Sequence, residues 1–295
     1  MNSADGLDGL LPYVPIGEVF EAGVDWSTEH LSAVFAGIAS FVESLVGPLA
    51  DLLTAPPAIV VVLLFAGLGW WLRGWKFGLG TALGLGMVAG MPIWAQTMST
   101  LALVLVASGL ALLLAVPLGI FIAENPRASA VVRPVLDLMQ TMPAFVYLIP
   151  AIFFFGVGVV PGALATVVFS MPPGVRLTEL GLRQVDREVV EAGEAFGASP
   201  WTILLRTKLP LALPTIMTGV NQVIMLALSM VVIAGMVGAG GLGEVITTAL
   251  FRAQVGAGFE GGIAVVILAV VLDRLTDSIG ARTPSAKAQR AMQQA

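Results

Sequence analysis

Three groups of residues have the types and spacing to do more than build a core. Glu191-Ala192-Gly193 is followed after three residues by Gly197, and after nine more by Thr207-Lys208-Leu209-Pro210. Its small side chains on a polar stretch let a partner's groove approach closely. Thr218, Asn221, Gln222 and Ser229 are uncharged hydrogen-bonding residues in an otherwise apolar run. Such groups mark a substrate path or serve to bond neighbouring helices, and both readings stay open. Gly238, Gly240 and Gly243 spell G-x-G-x-x-G, but the dinucleotide fingerprint needs a strand before it and a helix after it. Here an apolar run precedes it, so we read a tight re-entrant connector that uses glycine's freedom at positive φ. Catalytic chemistry is poorly supplied. With no Cys and one His, His30, the chain argues against a disulfide framework, a metal centre or a Ser-His-Asp triad. No G-x-x-x-x-G-K-[ST] occurs, so ATP is not bound through a P-loop and energy must come from a partner.

The elements that position these groups follow from composition. Charged residues make up 11% of 295, against about 25% in soluble domains, and mean hydropathy is +0.95. This is an all-α membrane protein. A net charge of -5 excludes a basic nucleic-acid binder. About 20 apolar residues cross a bilayer, and seven stretches qualify: residues 57–72, 77–95, 97–123, 134–157, 160–182, 212–237 and 258–280. The long run 77–123 is broken near Pro92 to Gln96. Pro143 and Pro150 in the fourth stretch and Pro172-Pro173 in the fifth free backbone carbonyls, which suits a pathway, a hinge or a plain kink.

Cytoplasmic loops carry the excess Lys and Arg. With the N-terminus outside and the C-terminus inside, thirteen of the fourteen basic residues fall on the cytoplasmic side, and only Arg252 does not. Residues 1–55 hold eight acidic residues and no basic one, unlike a signal peptide. We read them as an extracytoplasmic segment. Leu31, Val34, Phe35, Ile38, Val42, Leu45, Val46, Leu49 and Leu52 recur there at helical spacing, with Ser27 a candidate N-cap and Pro48 a candidate kink. That amphipathic helix packs on the spans, lies in the outer interface, or forms an eighth span. Residues 56–280 form the transmembrane domain and 281–295 a short cytoplasmic tail.

Between the fifth and sixth spans, Asp186 can cap a helix, and Ser199-Pro200 can open a second that Pro210 and Pro214 stop. Ala192, Gly193 and Gly197 leave the first helix's surface nearly bare. The alternative is an amphipathic linker, although joining adjacent spans needs only a few residues. Glu179 and Arg183 form an i, i+4 pair in the favourable order, read as a structural ion pair rather than a proton relay. Asp273 and Arg274 anchor the last span, Trp70, Trp71 and Trp75 suit an interface belt, and His30 suits a surface position.

The segment from Glu191 to Pro210 resembles the EAA loop of ABC-importer permeases, E-A-A, x3, G, x9, I-x-L-P. Gly193 stands for the second Ala and Thr207 for the Ile. Residues 137–150, 171–178, 214–222, 226–234 and 272–276 are similar to the glycine betaine/proline permease family of osmoprotectant importers. The resemblance implies a type I ABC-importer permease fold, with residues 186–210 docking on a cytoplasmic ATPase through Glu191, Ala192, Gly193, Gly197, Leu209 and Pro210. It implies a homodimer in a bacterial inner membrane, ATP and Mg bound by the ATPase, and an extracytoplasmic binding protein delivering substrate. It places the sixth span, and so Thr218, Asn221, Gln222 and Ser229, beside the dimer axis. Choline, carnitine or another betaine is the alternative substrate. A secondary transporter would call for an internal repeat and a membrane-buried carboxylate, and we read neither in the sequence. A cysteine introduced at Ser3 is expected to react with an impermeant thiol reagent on intact cells, and one at Ala286 is not. Labelling at both, or at Ala286 alone, would overturn this orientation.

Overall fold

The computed structural model describes residues 15–281, and every regular element in it is helical. In chain order these are α1 (Ile16–Thr54), α2 (Ala58–Arg73), α3 (Trp75–Ala89), α4 (Trp94–Glu124), α5 (Pro126–Thr141), α6 (Ala144–Phe155) and α7 (Val159–Arg183). Then come α8 (Arg187–Ala195), α9 (Pro200–Ile203), a π-helical turn (Leu204–Lys208), α10 (Leu209–Ala234), a 3-10 turn (Gly235–Val237), α11 (Gly241–Phe251) and α12 (Val255–Ala281). The expected tail, residues 281–295, lies almost wholly outside the described residues, as does the start of the N-terminal segment.

The centre is α7, packed between α4 and α10. Without an apolar-to-water gradient to drive helices together in lipid, close van der Waals packing of small residues does so. A Cβ on Gly119 of α4 would lie 2.5 Å from Thr178 Cβ, and one on Gly174 of α7 would lie 2.9 Å from Ala115 and 3.1 Å from Val223. Gly219 of α10 sits against Leu177, and Gly181 against Ala212 and Thr215. Pro172 and Pro173 stay inside α7 without breaking it.

Each expected span finds a helix or a helix pair, with three differences. Residues 134–157 are not one helix: α5 and α6 meet at 99°, because Pro143 drives Met142 into an extended conformation (φ -72°, ψ 133°) and removes a donor. Nor does α3 reach the length expected, ending at Ala89 instead of residue 95, while α2 keeps its 16 residues. They are a hairpin of 16 and 15 residues turning at Gly74 (φ +97°), each about 22–24 Å long against a hydrocarbon core of about 30 Å. Trp70, Trp71 and Trp75 point outward from this hairpin. Finally, Pro210 and Pro214 do not stop the helix after Ser199. Leu209 N–H donates to Leu204 O, five residues back, and this π turn lets the chain run from Pro200 to Val237 as one span-length helix despite Pro210's missing N–H.

α1 begins at Ile16, so Ser27 is not its N-cap; the Ser27 hydroxyl donates to Gly23 O at 2.7 Å in mid-helix. The apolar residues Val19, Phe20 and Val24 extend the helical pattern upstream. Its buried stripe is narrower than expected: Val42 and Val46 are buried, and Phe35, Ile38 and Leu49 half-buried, while Val34 and Leu52 are exposed. α1 is long and apolar enough to span a bilayer, and it packs mainly on α4 and also on α6 and α7. Phe35 stacks on Phe154 at 4.7 Å and meets Phe155 edge-on at 5.5 Å, at the C-terminus of α6. The same end holds Gly158, which bonds Val237 O at 3.1 Å.

At this end the chain also turns through Gly238, Gly240 and Gly241, with φ of +78°, +77° and +66°. Gly243 packs on Gly235, and Leu242 N–H donates to Thr100 Oγ1 at 2.7 Å, fastening α11 to α4. A 3-10 turn precedes the glycines, so the fingerprint's strand is missing, and the glycines form a tight turn into α11. Gly119→Leu is expected to cost about 1–3 kcal/mol by overpacking α4 against α7. Gly109→Ala, in α4 with nothing within 4 Å of the added Cβ, should be neutral or stabilising by up to about 1 kcal/mol. Thermal unfolding in detergent separates the two.

Candidate coupling surface and transport path

The segment leaving α7 is shaped by local rules. Asp186 accepts Glu188 N–H at 3.0 Å and starts α8. At its other end Gly197 takes φ +77°, Ala198 N–H donates to Gly193 O at 3.1 Å and Gly197 N–H to Glu194 O at 2.8 Å, which is a Schellman cap. Ser199 Oγ then accepts Thr202 N–H at 3.3 Å with Pro200 in the first turn, opening α9. Both expected caps form.

No residue of α8 is buried. Glu191 pairs with Arg187 at 2.9 Å, both exposed, and Ala192 is exposed. Gly193 differs from the expected bare surface: a Cβ there would lie 3.4 Å from Ile203, so it lets α9 pack close and turns inward. Gly197 is bare, with nothing within 4 Å, but its first requirement is the left-handed backbone. Leu209 and Pro210 lie past the π turn, at the start of α10. The most prominent feature of this segment is an apolar one that the motif residues do not include. Phe196, just past α8, is 93% exposed, and Trp201, at the start of the helix that runs into α10, is 67% exposed.

On α10 the four polar residues separate. At about 100° per residue, Thr218, Gln222 and Ser229 fall within about 40° of one another and all are exposed. The hydroxyls of Thr218 and Ser229 donate back to Pro214 O at 3.2 Å and Met225 O at 3.1 Å. Asn221 points elsewhere: its Nδ2 donates to Asp277 Oδ1 on α12, and its Oδ1 is buried with no partner among the described residues. Asp277 in turn lies 4.0 Å from Arg73 of α2, so Asn221 ties helices together.

A second polar cluster surrounds Glu179, whose side chain is 3% exposed. It accepts Ser129 Oγ at 2.7 Å, pairs with Arg133 through both oxygens at 3.0 and 3.2 Å, and with Arg183 Nε at 3.0 Å. The i, i+4 spacing showed Arg183. Ser129 and Arg133, some fifty positions upstream, carried no local signal, and neither did Asp277 or Arg73 for Asn221.

Residues 115–283 match the family model described as binding-protein-dependent transport system inner membrane component. The chain is 45% identical over 267 residues to the glycine betaine/proline betaine transport system permease protein ProW of Escherichia coli (strain K12), covering 90% of this chain and 75% of that one. It is 44% identical over 275 residues to the glycine betaine transport system permease protein OpuAB of Bacillus subtilis (strain 168), covering 93% and 98%. In solved structures, the inward-facing MetNI methionine ABC transporter superposes with a TM-score of 0.57 at 22% identity, over 61% of this chain and 91% of that one. An all-helical bundle of this fold, with a capped helix pair projecting between two of its long helices, is a type I ABC-importer permease. The chain belongs to the family of binding-protein-dependent transport system inner membrane components.

Gly197→Ala is expected to loosen the end of α8 by about 1 kcal/mol through backbone strain alone, seen as roughly fivefold faster amide exchange at residues 196–198. Gly197→Trp should loosen it no further, because its side chain enters open space. A much larger effect for Trp would show that packing, not φ, governs this position.

Proposed function

We propose that this chain is the non-catalytic, membrane-spanning subunit of an ATP-driven importer for glycine betaine, proline betaine or a related quaternary amine. The observation that carries the reading is the α8–α9 surface: Phe196 and Trp201 are presented to solvent by a helix pair built entirely from local caps, on a chain 44–45% identical to glycine betaine permeases. Residues 186–210 then dock on a cytoplasmic ATPase that binds ATP and Mg. Glu191, Ala192 and Phe196 supply the surface, Gly193 and Gly197 its shape, and Leu209 and Pro210 the junction with α10. Carnitine and trimethylamine N-oxide appear in the names of related permeases from Listeria monocytogenes and Ruegeria pomeroyi, which supports other methylated amines as the alternative substrates.

In this reading residues 56–280 form the permease domain, 1–55 lie outside and 281–295 inside. Arg127, Arg133, Arg183 and Lys208 cluster with α8 at one end of the bundle, which supports that end as cytoplasmic in a bacterial inner membrane. The exposed stripe of Thr218, Gln222 and Ser229 lines the path where a second copy of the chain meets this one. An extracytoplasmic binding protein delivers the substrate to the end bearing α1 and α11.

The test is reconstitution with the ATPase and binding protein, measuring betaine uptake and betaine-stimulated hydrolysis with carnitine and choline as competitors. Gln222→Leu is expected to lower uptake at least about tenfold, equivalent to about 1.4 kcal/mol, with assembly intact. Phe196→Ser should instead lose co-purification with the ATPase while folding normally, since surface substitutions usually change stability by no more than about 0.5 kcal/mol. Unchanged uptake in both variants would sink the assignment of path and docking surface.

A further inference from the structure

Both ends of the segment that carries α8 and α9 are fastened to the same place. At its entry, Arg183, the last residue of α7, donates to Ile122 O of α4 at 3.0 Å and pairs with Glu179. Glu179 in turn holds Ser129 and Arg133 of α5. At its exit, Lys208 Nζ bonds both oxygens of Glu124, the last residue of α4, at 2.8 and 3.1 Å. Between Ile122 and Ser129 lies the α4–α5 corner, where Asn125 caps α5 by accepting the N–H groups of Arg127 and Ala128 at 3.1 and 3.2 Å. The corner leads directly into α5, the first arm of the 99° bend.

We propose that these two clasps make the α8–α9 segment and the α4–α5 corner move as one body, with Glu179 the positioning residue of the entry clasp. A displacement of the docking helices then reaches the α5–α6 bend instead of being taken up in the connecting turns. Three features support this. The Glu179 carboxylate is buried, and a buried charge is held only where its partners are in place, so the entry clasp resists extension. It also bridges α7 to α5 through a bidentate arginine, whose geometry fixes orientation as well as distance. The exit clasp joins residues 84 positions apart next to the π turn, the one place where the helix running into α10 departs from α geometry and where it would otherwise yield.

The proposal rests on the docking role proposed for residues 186–210. Its test is the number of ATP molecules hydrolysed per glycine betaine taken up by the full complex in proteoliposomes. In Glu179→Gln and in Glu124→Gln, hydrolysis should stay within about twofold of the native complex while uptake falls, so that the ratio rises at least about fivefold. A merely structural role would lower both together and leave the ratio unchanged, and that outcome would overturn the proposal. If Glu179→Gln fails to fold, the exit clasp decides: Glu124→Lys should uncouple, and the double variant Glu124→Lys/Lys208→Glu should restore the ratio by re-forming the pair with reversed charges. Failure of the double variant to restore it would also overturn the proposal. A native complex with no betaine-linked hydrolysis would instead strike down the importer reading itself, and this inference with it.

Discussion

The close approach of α7 to α4 and α10 is the constraint on which the rest of this bundle depends. A methyl group at Gly119 or Gly174 would force its neighbours to shift, and one at Gly181 or Gly219 would make them give by a few tenths of an ångström, so small residues set the separation of the three axes. That closeness encloses most of α7 in protein. Within it α7 holds two consecutive prolines, both buried, and a carboxylate, Glu179, that is surrounded by donors.

The two ends of the bundle solve the turn problem differently. At the α11 end, three glycines at positive φ reverse the chain and press α11 onto α10 and α4 with little side-chain volume between them. At the α8 end the chain has polar caps instead: Asn125, Asp186 and Ser199 each accept orphan N–H groups, as helix starts outside an apolar medium require. Basic residues and side-chain caps therefore collect at the end that bears α8. The charge asymmetry visible along the chain and this difference in turn chemistry are two views of one division.

Local features were legible in the sequence. Asp186 and Ser199-Pro200 are caps whose partners lie within three residues, and both form; Gly197, read in the sequence only as bare surface, is also the C-terminal cap of α8. The composition and the apolar runs located the helices for the same reason. Partners across helices could not be read. Asn221 and Gln222 are adjacent in the chain and alike in chemistry, but about 100° apart on a helix, so one meets Asp277 while the other stays exposed. Only a third dimension distinguishes them. Pro143 breaks the fourth span where Pro172 and Pro173 do not break the fifth. α7 is held straight between two closely packed helices, whereas at Met142 the extended preference of the residue before proline prevails. Ser27 is ambiguous in the sequence because serine serves equally as a cap and as a mid-helix donor to the carbonyl four residues back.

The exposed side of α10 poses a question that one copy of the chain cannot answer. Thr218 and Ser229 have turned their hydroxyl protons back onto their own helix, which leaves them tolerable in lipid. Gln222 has no such recourse: its amide makes no hydrogen bond among the described residues, and two donors and a carbonyl in hydrocarbon would cost several kcal/mol by general transfer arguments. The helix around it is otherwise well covered, with Val223, Ala227 and Val231 fully buried. A side chain of that kind persists at such a position only if it meets water or another protein surface. In the proposed dimer both are available at once: the second copy presents the same stripe, and the space between the stripes is the solvated path. In that proposed arrangement Gln222, whose amide the single copy leaves without a partner among the described residues, would stand on the substrate's route.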